Sequence, residues 1–193
     1  MDSQWRITRD TFASFDPEGG SDAILSRVRS PKVAQVLRYW LDLRQGRTFP
    51  ARADLDPAEI RAALPHVMIA SISYSPFRVL YRLVGTEIVR WSRVDFTNRY
   101  ADELIFQEDG RDWTAYYRIV VETRQPGFGV TDWVEKGRNP LWVEFLVLPL
   151  SDDGVTVDRC LAVEDYEPMN AVEIDALPPV SERAPRRRTD GEP

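Results

Sequence analysis

The apolar positions that follow Ser30 recur at the spacing of an α-helix. They lie three or four residues apart on one stripe: Val33, Val36, Leu37, Trp40 and Leu41. The Ser30 hydroxyl can cap free amides, Pro31 is tolerated at the first helical position, and Gly46 lies just beyond the last turn. The pattern predicts a helix from about residue 31 to 44. Because the stripe is too apolar to face water, another surface has to cover it.

The chain on either side of this helix is patterned differently. A second start signal, Asp56-Pro57-Ala58-Glu59, predicts a short helix that carries Ile60, Ala63 and Leu64 and ends at Pro65. The first residues mix Pro17, Gly19, Gly20 and scattered charges, and we expect a loosely packed leader over 1–29 with at most one short element.

From Val67 onwards, short β-rich runs alternate with turn signals and one helical stretch. The expected strands are 67–73, 77–84, 129–135, 141–150 and 158–166. Alternation in the second of them directs Phe77, Val79, Tyr81 and Leu83 inwards. Between the second and third strands, a helix over about 111–124 has a face of large apolar side chains: Trp113, Tyr116, Tyr117, Val120 and Val121. This order predicts an α+β domain, a five-stranded antiparallel sheet crossed by the aromatic helix.

The segment from Tyr39 to Thr86 has a more specific pattern. Its signature residues are Tyr39-Trp40, Leu43-Arg44, Gly46-Arg47, Pro50, Arg52, Asp54, Asp56-Pro57, Ile60, Leu64-Pro65-His66 and Tyr81-Arg82-Leu83-Val84-Gly85-Thr86. This segment resembles a bacterial PAS-like family that was formerly a domain of unknown function. The resemblance covers about residues 30–166 and implies a PAS-like sensor or interaction module. We therefore expect a PAS-like domain over 30–168 and a polar, disordered tail over 169–193.

Composition and charge argue against several classes of function. The formal net charge is −6, which argues against a nucleic-acid-binding protein because such proteins concentrate basic residues on one surface. The sequence has neither a signal-peptide pattern nor an apolar run that could cross a bilayer, so we expect a cytoplasmic protein without membrane insertion. The single cysteine, Cys160, cannot form an internal disulfide or a multi-cysteine metal site.

Several aromatic side chains could either fill the core or line a small-molecule cavity. The candidate pocket residues are Tyr81, Leu83, Trp113, Tyr117, Val120 and Phe145. Core packing is the default interpretation. However, the hydroxyls of Tyr81 and Tyr117 need partners when buried, and a ligand or a trapped water could supply one.

The predicted helix over 31–44 and the loop after it supply the candidate interaction surface. Its members are Val33, Val36, Leu37, Trp40, Arg44 and Arg52. We expect a protein partner, or a second copy of the chain, to cover the apolar stripe; otherwise the stripe completes the domain's own core. The charges around Arg47 and Asp54 favour a salt-bridge network between helices over an anion site.

The sequence predicts no catalytic residue, metal ligand or cofactor. In PAS relatives that bind haem, the ligand comes from the helix crossing the sheet, which here has tyrosines but no histidine. Relatives with flavin photochemistry place a reactive cysteine in a helical motif, whereas Cys160 lies in a β run. Two alternatives stay open: a structural adaptor, and a proton-transfer enzyme in which His66 or Asp132 works with Tyr117.

Overall fold

A computed structural model describes residues 12–14, 20–104, 113–133 and 138–171. Its helices are α1 (Gly20–Arg27), α2 (Pro31–Arg44), α3 (Thr86–Ser92) and α4 (Trp113–Thr123). Its strands are β1 (Phe12–Ser14), β2 (Val67–Tyr74), β3 (Phe77–Val84), β4 (Gly127–Trp133), β5 (Leu141–Leu150) and β6 (Arg159–Pro168).

The strands form one antiparallel sheet in the order β1-β4-β5-β6-β2-β3. The five predicted strands are all present, which confirms the α+β prediction. The leader contributes more than was expected, because β1 adds a sixth strand beside β4 and α1 follows it. The predictions for residues 1–11, 15–19, 111–112, 134–135 and 172–193 lie outside the described residues. The predicted disordered tail begins too early, because Met169 is buried in the core and its amide donates to the carbonyl of Pro140.

Helices cover both faces of the sheet, so that β5 is buried at every position. On one side, here called the α2 face, α2 packs on β5 and β6, and the Trp40 indole nitrogen donates to the carbonyl of Pro149 over 2.9 Å. On the opposite side, here called the α4 face, α4 packs on β3, β4 and β5. The aromatic helix therefore crosses the sheet as predicted.

Helix α2 has the predicted bounds and the predicted caps. The Ser30 hydroxyl accepts from the amides of Lys32 and Val33, and the chain leaves the helix through Gln45 and Gly46, both with positive φ. The apolar stripe is turned towards the sheet. Its buried members include four candidate interaction residues, Val33, Val36, Leu37 and Trp40. The expectation that a partner or a second copy covers them is therefore wrong, and the stated alternative holds: the stripe completes the domain's own core against β5 and β6.

A β-bulge corrects the prediction for Leu83. Ile69 pairs with Leu83 and Ala70 pairs with Tyr81, so Arg82 is an extra residue in β3. The insertion moves Leu83 to the face opposite Tyr81, since a shift of one residue reverses the side of a strand that a side chain occupies. Leu83 is 45% exposed and does not belong to an interior pocket.

The second predicted helix is a pair of 3₁₀ turns instead. Asp56 caps the first turn, Pro57–Ile60, through the amide of Ala58 at 2.9 Å, and Leu64–His66 forms the second. Their backbone hydrogen bonds join residues three apart, as in a 3₁₀-helix.

Candidate ligand chamber and the cap of the amino-terminal helix

A small interior chamber lies on the α4 face. It consists of two adjoining cavities of about 20 and about 10 Å³, each large enough for about one water molecule. Tyr81, Trp113, Glu164 and Met68 line both cavities. Helix α3 closes one side with Ile88 and Ser92, and Tyr166 completes that wall. We call this site the inner chamber.

The carboxyl group of Glu164 is the charged group of the inner chamber. Register places Glu164 beside Phe145, on the same face as Ala162 and Cys160, so a carboxyl occupies a position where neighbouring strands present apolar side chains. Burial raises the pKa of Glu164 to about 7, although a hydrogen bond from the Tyr166 hydroxyl favours the ionised form. The cost of desolvating the charge outweighs that bond. Glu164 therefore titrates near neutral pH.

Tyr166 is held in place by its neighbours. Its ring stacks on Trp91 of α3, with 5.7 Å between the ring centroids, and its hydroxyl donates to Glu164. Burial raises the pKa of Tyr166 well above the ordinary tyrosine value, so the hydroxyl keeps its proton as a donor.

Two further tyrosines, Tyr81 and Tyr117, meet edge to face with 6.0 Å between their ring centroids. Both are buried, and burial raises the pKa of each. The Tyr117 hydroxyl has no well-formed hydrogen bond within the part of the chain that the structure describes. Its neighbour is the Tyr81 hydroxyl, towards which it acts as the donor. Because this contact satisfies the buried hydroxyl only in part, a water or a ligand atom in the chamber would complete its hydrogen bonding.

The structure brings together most, but not all, of the candidate pocket residues. Tyr81 and Trp113 line both cavities, and Tyr117 and Phe145 line the smaller one. Val120 is fully buried in the core, while Leu83 lies outside. The sequence reasoning missed Glu164 and Tyr166. Both residues continue the every-second-residue series of Cys160 and Ala162 in a strand that was predicted, but only the register of β6 against β5 shows which face that series occupies.

On the α2 face, a second group of side chains holds the start of α2. We call it the cap cluster: Ser30, Lys32, His66, Glu144 and Asp165. The Ser30 hydroxyl donates to Asp165 over 2.7 Å, and the Lys32 ammonium contacts the same carboxylate at 3.0 Å. Glu144 accepts from the amides of Ser30 at 2.9 Å and Arg29 at 3.1 Å. Two carboxylates of the sheet thus anchor a helix amino terminus, where negative charge is stabilising.

Burial and hydrogen bonding act in opposite directions on Glu144. Desolvation raises its pKa above the usual value, while the amides of Ser30 and Arg29 lower it. A larger groove of about 270 Å³ borders this carboxylate and Trp142. Both carboxylates of the cap cluster that line the groove are already engaged with α2.

His66 joins the cap cluster to the backbone of β6. Its Nδ1 lies 2.9 Å from the carbonyl oxygen of Glu164 and 3.5 Å from the carboxylate of Asp165. The ring is buried at the entrance to β2. This position agrees with the structural role that the sequence favoured.

The acid–base pairs of the enzyme alternative are not assembled. Asp132 pairs in register with Trp142, which lies on the α2 face, whereas Tyr117 reaches the chamber from the α4 face. The sheet separates the two side chains. His66 is directed to β6 and Asp165, not to Tyr117.

Ion pairs and hydrogen bonds attach the arginine-rich loop after α2 to the rest of the fold. Arg47 contacts Asp54 at 2.6 Å and also donates to the carbonyl of Leu43. Arg44 lies over the Trp40 ring at 5.3 Å, and the amide of Arg52 donates to Asp152. These contacts support the salt-bridge interpretation for Arg47 and leave Arg44 and Arg52 half-buried.

Cys160 is fully buried in β6, and burial raises its thiol pKa. It matches the small buried hydrophobe that the sequence suggested. Among the described residues, no set of three histidine, cysteine, aspartate or glutamate side chains is arranged to hold a metal ion. Over the same residues, no helix has the length and apolarity needed to cross a bilayer.

Comparison with known families decides the classification. A family model described as a PAS domain matches residues 28–163. The chain belongs to the PAS domain family. The match covers α2, the cap cluster apart from Asp165, and the first half of β6, and it ends one residue before Glu164. Membership of this family suggests a sensory signalling module. No curated protein matches the chain.

Solved structures of light-oxygen-voltage domains align with this chain at low sequence identity. One of them is titled as a flavin-analogue study of a light-oxygen-voltage domain. Its sequence is 14% identical, the alignment covers 62% of this chain and 87% of that one, and the TM-score is 0.45. Another is the light-state structure of the light-oxygen-voltage domain of the blue-light photoreceptor Aureochrome1. Its sequence is 12% identical, the alignment covers 63% of this chain and 93% of that one, and the TM-score is 0.41.

An RNA-binding light-oxygen-voltage receptor aligns with 14% identity and a TM-score of 0.43 over 58% of this chain. The aligned region spans only 33% of that receptor.

Proposed function

We propose that this PAS domain is a sensory signalling module whose input is the inner chamber and whose output is the amino-terminal helix α2. The observation that carries the proposal is the arrangement of β6. One residue of this strand, Glu164, faces the inner chamber, and the next, Asp165, holds the start of α2.

A change of charge or occupancy at Glu164 has a short path to α2. The Glu164 backbone carbonyl is bonded to His66, and the His66 ring also contacts the carboxylate of Asp165. Ionisation or ligand binding at Glu164 alters its bond with Tyr166 and the local position of β6. Because packed strands are stiff, a shift of β6 reaches Asp165 and the Ser30 cap.

The output is a protein partner that contacts the solvent side of α2. Arg38 and Asp42 are exposed there, while the apolar stripe faces the sheet. Any self-association of the domain has to use surfaces other than this stripe.

Hydrogen exchange in the variant Glu164→Gln tests the proposal. The substitution keeps the shape of the side chain and removes its ionisation. At pH 8, where wild-type Glu164 is ionised, we expect the variant to change the exchange protection of peptides that cover residues 29–37, in addition to those from β6. Glu122→Gln is the matched control, because Glu122 is an exposed carboxylate on α4.

Changed protection at the start of α2 in Glu164→Gln, with none in Glu122→Gln, supports the proposal. A change limited to β6 and the chamber walls means that the chamber does not communicate with α2, and the proposal fails.

A further inference from the structure

The walls of the inner chamber combine aromatic rings with one carboxyl group. The larger cavity is bordered by five aromatic side chains: Tyr81, Phe96, Trp113, Trp133 and Tyr166. Glu164 is the acidic group among its described lining residues, and none of those residues is lysine, arginine or histidine. The described part of the lining thus presents one potential negative charge and several ring faces, and none of its side chains is cationic.

A second observation points to an occupant that forms hydrogen bonds. The Tyr117 side chain is 2% exposed, lines the smaller cavity and leaves its hydroxyl oxygen without a well-formed hydrogen bond to the described residues. Tyr81, Glu164 and the carboxyl-bound Tyr166 place further oxygen atoms around the same space. An occupant with several N–H donors would find acceptors on more than one wall.

The volume limits the size of what enters. At about 20 Å³, the larger cavity accepts a group the size of a water molecule. An ammonium group has this size. Ser92, Trp113 and Tyr166 are partly exposed, so that an alkyl substituent could extend from the cavity towards solvent.

We propose that the inner chamber binds the ammonium head of a small primary amine, with the ammonium ion as the smallest member of the class. The Glu164 carboxylate pairs with the cation, the aromatic rings contribute cation–π attraction, and the oxygen of Tyr81, which lines both cavities, accepts another of its N–H groups. This inference rests on the proposed sensory function and names the chemistry of its ligand.

Charge balance distinguishes this ligand from others. An anion would meet the carboxyl group without a compensating cation. A neutral hydrogen-bond acceptor, such as an amide, would prefer the protonated carboxyl. A primary ammonium prefers the ionised form, so that its binding releases the Glu164 proton to solvent.

The direct test is calorimetric titration of the full chain with methylammonium chloride at pH 6 and pH 8. The ligand stays protonated at both values, because alkylammonium groups have pKa values near ~10.4. If only ionised Glu164 binds it, a carboxyl pKa of about 7 predicts roughly tenfold tighter binding at pH 8 than at pH 6. Potassium chloride at equal ionic strength, acetamide and sodium acetate serve as the cationic, neutral and anionic comparisons.

Variants connect the binding to the chamber. Glu164→Gln should weaken methylammonium binding by more than tenfold, and Tyr81→Phe should weaken it less, because only a neutral acceptor is lost. Glu122→Gln should bind as the wild type does. Thermal melting at pH 8 checks that each variant is folded, and we expect Glu164→Gln to be at least as stable as the wild type.

The proposal is overturned by any one of three results. These are the absence of saturable methylammonium binding, tighter binding at pH 6, and undiminished binding by Glu164→Gln. Tighter binding of acetamide at pH 6 would instead identify a neutral ligand. The hydrogen-exchange experiment needs no ligand. If Glu164→Gln changes the exchange protection of α2 but the wild type binds no amine, only the proposed ligand class is refuted. Amine binding without any effect on α2 refutes the sensory link.

Discussion

Glu164 and Asp165 are consecutive residues of β6 whose carboxyl groups serve opposite faces of the sheet. Glu164 lies in the inner chamber with the Tyr166 hydroxyl as its donor. Asp165 accepts from the Ser30 hydroxyl at 2.7 Å and contacts Lys32 at the start of α2. The alternation of a single strand thus places a titratable group beside the candidate ligand site and an anchoring group beside the candidate output helix.

Stability should depend on pH through Glu164. Its pKa is about 7 in the folded chain against an ordinary value of 4.5, so the folded state holds the proton more tightly. Between about pH 4.5 and 7 the unfolded chain releases this proton first, and the free energy of unfolding falls as pH rises, in total by about 3 kcal/mol. Above pH 7 both states are ionised and the decline ends.

Other carboxyl groups titrate in the same range, so the contribution of Glu164 is isolated as a difference. We expect the stability of Glu164→Gln relative to the wild type to increase from pH 5 to pH 8, measured by urea unfolding. Glu122→Gln should show no such trend. A difference that stays constant with pH would show that Glu164 has an ordinary pKa in the folded chain.

Gly129 leaves room for the ring of Phe145 on the adjacent strand. A Cβ atom at Gly129 would lie 2.5 Å from the end of that ring, which itself packs against Trp113 and Tyr116. Gly129→Ala should therefore lower the free energy of unfolding by about 1–3 kcal/mol. Adding Phe145→Leu should give a double variant that is more stable than the sum of the two single losses predicts. Strict additivity in urea unfolding would mean that the two positions do not compete for space.

Leu37 should contribute to the fold and not to association. Because this side chain is fully buried against the sheet, Leu37→Ala should cost about 2–5 kcal/mol of stability. Arg38→Ala, one residue further along the same helix and exposed, should stay within about 0.5 kcal/mol of the wild type. Sedimentation should give the same mass for the wild type and both folded variants. A dimer that dissociates in Leu37→Ala while the fold persists would restore the stripe as an interface.

Patterns with strong local periodicity were predictable from the sequence. The bounds of α2, its Ser30 cap and the course of β5 follow from helical spacing, capping chemistry and a long β-rich run. The 3₁₀ turns and the position of Leu83 were not predictable from the sequence, because both depend on tertiary contacts. A bulge is set by how β2 and β3 align, and alternation along β3 alone cannot reveal it.

The candidate site was predictable only in part for the same reason. Tyr81, Trp113, Tyr117 and Phe145 were found because large aromatic residues mark either a core or a cavity. Glu164 was missed because a charged residue near the end of a strand normally faces solvent. Only the register of β6 against β5 shows that this carboxyl shares a face with Phe145.

A double-mutant cycle between Glu164 and Ser30 tests the central claim, that the inner chamber and the start of α2 are energetically linked through β6. The two side chains act on opposite faces of the sheet, so a direct contact does not complicate the cycle. The free energy of unfolding is measured at pH 8 for the wild type, Glu164→Gln, Ser30→Ala and the double variant, and the cycle is repeated with Glu122→Gln in place of Glu164→Gln. The account predicts an interaction energy of at least about 0.5 kcal/mol for the Glu164 cycle and none beyond error for the Glu122 cycle. Additive effects in both cycles would contradict the link between the chamber and α2.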